Sequence, residues 1–112
     1  MSKPQITFED FDKLEMKVGV ITDCKKHPNA DKLLVFQVKI GDETRQIISG
    51  VADWYTPEEC IGKKTVVVTN LEPRKFRGLE SNGMLLFADN EVDGRFRCEF
   101  VGSDAEDGNP VT

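Results

Sequence analysis

Histidine is nearly missing from this chain: His27 stands alone, and tryptophan and tyrosine also occur once each. A single imidazole leaves no partner for a typical zinc site and no Ser, His and Asp set, and the phosphate-cradling pattern GxxxxGK[ST] is absent. We therefore read no catalytic residue and expect a protein that is not an enzyme. Cysteine is scarce and odd in number. Cys24, Cys60 and Cys98 lie far apart in different expected elements, which writes neither a disulfide framework nor a CxxC knuckle and leaves three ordinary thiols. No apolar run approaches the roughly 20 residues that cross a bilayer, and Met1-Ser2-Lys3-Pro4-Gln5 lacks the hydrophobic region of a signal peptide. A cytoplasmic address without a membrane partner is the expectation. Asp89, Glu91 and Asp93 alternate, but the EF-hand pattern with its closing Glu is absent, so they read as a solvated turn. No cofactor or metal is expected.

What is present suits one folded domain spanning 1–112. Hydrophobic residues make up 38% of the 112 and charged residues 31%, too apolar for a disordered chain. The net charge of -5 conceals an asymmetry: residues 1–88 hold 13 Lys/Arg and 13 Asp/Glu, whereas 89–112 hold 2 and 7. A neutral body with clustered cations still binds polyanions, because the local field counts more than the sum.

Period-two alternation starts at Met16. Met16, Val18 and Val20 share a face, as do Leu34, Phe36, Val38 and Ile40; Gln46 and Ile48 continue the pattern. Val66-Val67-Val68, Met84-Leu85-Leu86-Phe87 and Arg95 to Phe100 supply the later strands. Gly41-Asp42 reads as a hairpin turn. Thr7 caps a short helix whose Phe8 and Phe11 are expected over the end of a sheet. Thr56-Pro57-Glu58-Glu59 opens a second, stopped by Gly62. Phe36, Phe87, Phe96 and Phe100 read as core, Trp54 and Tyr55 as packing residues, and His27 as an ornament of the turn at Pro28. Five strands with a helix between the third and fourth give an all-β fold with short helices, the OB-fold Greek-key barrel. Residues 90–112 form a C-terminal extension.

The stretch from Pro73 to Leu86 carries most of the functional signal. Arg74, Lys75 and Arg77 flank Phe76 between Pro73 and Gly78, which offers phosphate partners and a stacking face in one loop, a combination suited to single-stranded or looped RNA. Lys32 after the first long loop and Arg45 at the start of the third strand converge on the same side. Ser81 and Asn82, beside Gly83, either touch ribose or phosphate or bond within their own loop. Gly50 in a strand admits another backbone, as a bulge within one chain or a contact between two.

Asn29-Ala30-Asp31-Lys32-Leu33-Leu34, Thr44 to Val51, Tyr55 to Glu59 with Gly62-Lys63-Lys64, Asn70 to Lys75 and Gly78 to Met84 follow one another in an order that resembles the tRNA-binding domain appended to methionyl-tRNA synthetase. The same family includes free-standing tRNA-binding proteins and the CsaA chaperones. The resemblance spans about residues 5 to 90. It implies an OB-fold that binds folded tRNA by shape at its outer corner. It also implies a homodimer whose contact involves Ile48, Ser49, Gly50 and Val51 with the C-terminal strand, and a stand-alone module or subunit serving a synthetase. The alternative it carries is a CsaA-like dimeric chaperone for unfolded polypeptide. Two departures stand out: the ending Gly102 to Pro110, and Phe76, where family members carry an aliphatic residue or Met.

Overall fold

A computed structural model describes residues 2–112. In chain order the elements are α1 (Phe8–Asp12), β1 (Met16–Lys26), β2 (Leu34–Ile40), β3 (Glu43–Ser49), α2 (Pro57–Cys60), β4 (Lys64–Val68), β5 (Arg74–Phe76), β6 (Leu79–Ser81), β7 (Met84–Leu85), β8 (Phe87–Val92) and β9 (Arg95–Phe100). Five strands make one antiparallel sheet in the order β3-β2-β1-β4-β7, while β5-β6 and β8-β9 are two-stranded ribbons. The curled sheet is the half-barrel of an OB-like fold, as the strand pattern predicts.

β1 makes the curl. Its first half pairs with β4, from Met16 opposite Val68 to Val20 opposite Lys64, and its second half with β2, from Val20 opposite Lys39 to Lys26 opposite Leu34. The register slips between Ile21 and Asp23, and such a bulge bends the strand and increases its twist. Gly19 sits just before it. A Cβ there would stand 2.6 Å from Val38 Cγ1 and 3.0 Å from Val67 Cγ2, so only glycine lets the sheet close on itself at this point.

The core gathers Ile21, Leu34, Phe36, Val38, Ile47 and Val67, each buried. Alternation breaks down in the central strands: Leu34-Val35-Phe36 and Val66-Val67-Val68 are buried without interruption, because strands covered on both faces have no wet side to reserve for polar residues. α2 plugs one end. Its Thr56 N–H donates to Glu59 Oε1 at 2.7 Å, Cys60 is buried, and Tyr55 and Phe100 stack at 4.9 Å.

Three sequence expectations change. Phe8 and Phe11 do not cover the sheet; they are 75% and 41% exposed and contact each other. Phe96 is not core but 65% exposed, since the turn end of the two-stranded β8-β9 ribbon projects from the body and is uncovered on both faces. Asp89 and Glu91 lie within β8 rather than in a turn; the turn is Asp93-Gly94. Trp54 and Tyr55 do pack, with Trp54 Nε1 donating to the Phe96 carbonyl at 2.8 Å.

After β9 the chain returns across the sheet. Val66 N–H donates to Val101 O, then Gly108 and Val111 N–H donate to Val18 and Met16 carbonyls at 2.7 and 2.9 Å. Asp107 pins this tail by accepting from Lys39 Nζ at 2.8 Å and Gly41 N–H at 2.9 Å. Those hydrogen bonds, with the Lys39 charge, hold its carboxyl below the usual range. A depressed folded pKa gives a stabilisation present above the unfolded value of about 3.9 and lost as pH falls through the folded one. Below that value the Gly108 and Val111 amide resonances should lose their native positions before the core signals do, and Asp107→Asn should produce the loosened tail at neutral pH.

Candidate nucleic-acid interface

The basic segment expected as a loop is a β-hairpin. Arg74 stands opposite Ser81, Lys75 opposite Glu80 and Phe76 opposite Leu79, with Arg77 and Gly78 turning at φ 51° and 91°. Positive φ at both central positions is the two-residue turn that matches strand twist. Gly78 adopts it freely, whereas Arg77 is held there against its preference and carries its guanidinium at the tip. Arg74, Lys75 and Arg77 are exposed, and among the described residues none of them forms an ion pair. The Arg74 guanidinium lies 5.1 Å from the Phe76 ring centre.

The hairpin is clasped by the body of the protein. Gln46 Nε2 donates to the Glu80 carbonyl at 2.9 Å, and Asn82 N–H to the Gln46 carbonyl at 2.8 Å. His27, 4% exposed, braces the turn at Pro28 as expected and is also a strut to the hairpin. Its Nδ1 accepts from Asn29 N–H at 3.0 Å, so Nε2 carries the proton and donates to the Phe76 carbonyl at 2.8 Å. One imidazole thereby joins the β1–β2 loop, residues 27–33, to the cationic hairpin. His27→Ala should leave the far-ultraviolet spectrum intact and cost about 1–3 kcal/mol of stability through the orphaned Asn29 N–H and Phe76 carbonyl.

The other expected site residues separate into free and engaged groups. Lys32 lies on the loop that His27 anchors; its carbonyl accepts from Ala52 N–H at 3.2 Å and its side chain is exposed. Arg45 reaches the same side, but its side chain is 18% exposed, with Nε on Glu43 Oε1 at 2.7 Å and Nη1 on the Thr69 carbonyl. It braces β3 against the β4–β5 loop. Ser81 is buried and its hydroxyl is consumed, accepting from Ile48 N–H at 2.9 Å and donating to the Gly83 carbonyl at 3.3 Å. Asn82 is half-buried beside it. Ile48 and Val51 are buried inside their own chain, leaving Gly50 exposed and Ser49 half-buried.

Those four residues border a cleft of about 360 Å³ whose opposite walls are Leu71, Arg74, Phe76, Met84 and Phe87, with Glu72 its one acid. Sequence reading assigned 48–51 and 74–77 to different tasks; the fold puts them on one opening. Their separation along the chain hid this.

The thiols are not poised for chemistry. Burial pushes the Cys24 thiol up to about 12, assisted by Cys60, and burial raises Cys60 and Cys98 as well, so all three stay protonated near neutral pH. Among the described residues no His, Cys, Asp or Glu group could hold a metal ion, and no helix is long and apolar enough to cross a membrane.

Comparison with known proteins bears on family and fold. The family model described as "Putative tRNA binding domain" matches residues 16–110 and thus includes the returning tail. A methionine–tRNA ligase of Chloroherpeton thalassium is 44% identical over 109 residues, covering 97% of this chain and 15% of that protein. The chain thus spans a small fraction of such curated relatives. Among solved structures, the MetRS related protein from Pyrococcus horikoshii superposes with a TM-score of 0.86 at 38% identity, covering 98% of this chain and all of that one. The chaperone CsaA from Bacillus anthracis shares the fold, with a TM-score of 0.80 at 22% identity over 97% of this chain and all of its own. By its matched family, its relatives and its fold, this chain belongs to the tRNA-binding domain family.

Proposed function

We propose that this chain binds folded tRNA by shape, as a non-catalytic module that lends tRNA affinity to methionyl-tRNA synthetase. The observation that carries this reading is the hairpin of Arg74, Lys75 and Arg77, three exposed cations around Phe76 that form no ion pair among the described residues, held by His27 and Gln46. Lys32 extends the cationic surface across the anchored β1–β2 loop. Arg45 and Ser81 support it from beneath, and Asn82 is the remaining short polar contact. Phosphate neutralisation supplies the affinity and positioning, while the fixed spacing of the cations selects a folded backbone over a flexible one. Hydroxyl-radical footprinting of a bound tRNA tests this: protection concentrated at the outer corner supports it, and protection spread evenly along an unstructured competitor of equal length contradicts it.

The homodimer belongs to the same proposal. Ile6, Phe8, Phe11 and Leu14 are exposed apolar side chains, and Phe8, Phe11, Leu14 and Met16 line a groove with Pro110 and Val111 from the tail. A second copy covering that face removes more apolar surface from water than the segment from Ile48 to Val51 offers, since Ile48 and Val51 are already buried. Phe8→Ser with Phe11→Ser should convert a dimer to a monomer of unchanged fold in sedimentation equilibrium, with the tail resonances shifted. A wild-type monomer would refute the contact.

The second reading, an extended-polypeptide chaperone, draws on one observation, the exposed Leu71 and Met84 on the cleft wall. Binding by apolar burial would show little salt sensitivity and a fall in heat capacity. The unpaired cations on the neighbouring hairpin favour RNA.

A further inference from the structure

The cleft beside the hairpin combines features that phosphate binding alone does not require. Its apolar walls are Leu71, Phe76, Met84 and Phe87, and Leu71 and Met84 remain 42% and 47% exposed. The facing wall is the outer edge of β3. Ile48 N–H points away from β2 to Ser81 Oγ, which places the Ile48 carbonyl on the same outward edge, next to half-buried Ser49 and side-chain-free Gly50. Apolar faces with one polar edge match a flat heteroaromatic ring better than an aliphatic side chain, which has no edge to satisfy.

We propose that this cleft receives one unstacked base of the bound RNA, an inference that rests on the tRNA-binding reading and adds base capture to it. Volume fits: about 360 Å³ lies at the small end of the roughly 300–1,000 Å³ range of small-ligand sites, enough for one base and too small for a duplex segment. Charge fits as well. Arg74 lies against Phe76 at the opening, where the phosphate flanking an extruded base must pass, and Lys75 and Arg77 follow on the same hairpin. Glu72 and the Ile48 carbonyl accept hydrogen bonds while Arg74 and Ser49 donate them, so the polar edge of the site can satisfy the donors and acceptors of a base edge. Phe76 and Met84 supply the contact on the ring faces.

The test uses the full chain with methionines labelled at the 13C methyl. Met84 reports on the cleft, and Met16 reports on the separate groove beside α1. Titration with folded tRNA should move the Met84 methyl upfield by the ring current of the captured base. Met84→Ala and Leu71→Ala, both at exposed positions that leave the core intact, should each lower affinity severalfold, and Phe76→Ala about tenfold, the scale of one base–aromatic stack. A tRNA lacking one base at a corner loop position should lose the Met84 shift and the same factor, with no further loss when combined with Met84→Ala. If tRNA binds, seen by shifts of the hairpin amides, and the Met84 methyl stays in place, the cleft is not a base site and the tRNA reading survives. A Met84 shift with extended peptide and none with tRNA assigns the cleft to polypeptide and overturns the proposal. Absence of tRNA binding at low salt overturns both.

Discussion

Replacing Arg74, Lys75 and Arg77 together with alanine lowers affinity for folded tRNA on the order of a hundredfold near physiological salt and reduces the slope of log affinity against log salt by about 2 to 3. The magnitude follows from counting contacts. Each phosphate neutralised releases roughly 0.7 to 0.9 of a counterion, and the three cations make no ion pair among the described residues whose loss would offset the change. Fold should be untouched, because all three side chains are exposed and the hairpin is held by backbone pairing and by His27 and Gln46. The contrast with His27→Ala makes the test specific. Removing the strut weakens binding with the slope preserved, since the charges remain and only their placement loosens; removing the charges changes the slope. Alanine substitution of the hairpin with unchanged slope would remove it from the interface.

The second large effect concerns stability. Phe36→Ala should cost about 3–5 kcal/mol in chemical denaturation, whereas Phe96→Ala should fall within about 0.5 kcal/mol of the parent. Phe36 has no exposed surface and meets the edge of Phe100 at a centroid distance of 6.2 Å, so it joins the barrel to the base of the β8-β9 ribbon. Its removal leaves a cavity in a domain whose entire stability is expected at about 5–15 kcal/mol. Phe96 is 65% exposed, and its pairing with Glu91 and the bond from Trp54 Nε1 to its carbonyl are backbone contacts that alanine retains. Saturating tRNA should recover part of the Phe36→Ala loss, because a ligand that binds only the folded state stabilises it by mass action. Equal costs at the two positions would contradict the packing described above.

The two phenylalanines also show where sequence reading works and where it stops. Both sit in alternating runs, and alternation reports only that a strand has two unlike faces. It carries no information on whether a second layer covers the apolar one, and the free β8-β9 ribbon leaves Phe96 without it. The β1 and β2 strands were legible from alternating apolar residues, β3 from its shorter alternation and β4 from the unbroken Val66-Val67-Val68 run, and both helix caps because Thr7 and Thr56 stand at the expected spacing from an acidic residue. The hairpin was legible as a cationic segment but not as paired strands: Arg77, a non-glycine residue, occupies a left-handed turn position that residue preference disfavours. His27 was legible at the turn, where it accepts from Asn29 N–H, but not as a strut, because its second partner, Phe76, is 49 residues away and offers a backbone carbonyl, which no side-chain pattern announces. Arg45 and Ser81 were read as RNA contacts from residue type and expected position, but whether a polar group is free or already bonded depends on neighbours that only the folded chain supplies.

The measurement closest to the central claim is a titration of folded tRNA with the full chain across a salt series, with an unstructured RNA of equal length as competitor. Preferential binding to the folded molecule, with a steep negative slope that shrinks by about 2 to 3 in the hairpin variant, is the expected result. Equal affinity for both RNAs, or binding that persists unchanged as salt rises, would contradict shape reading by a cationic hairpin.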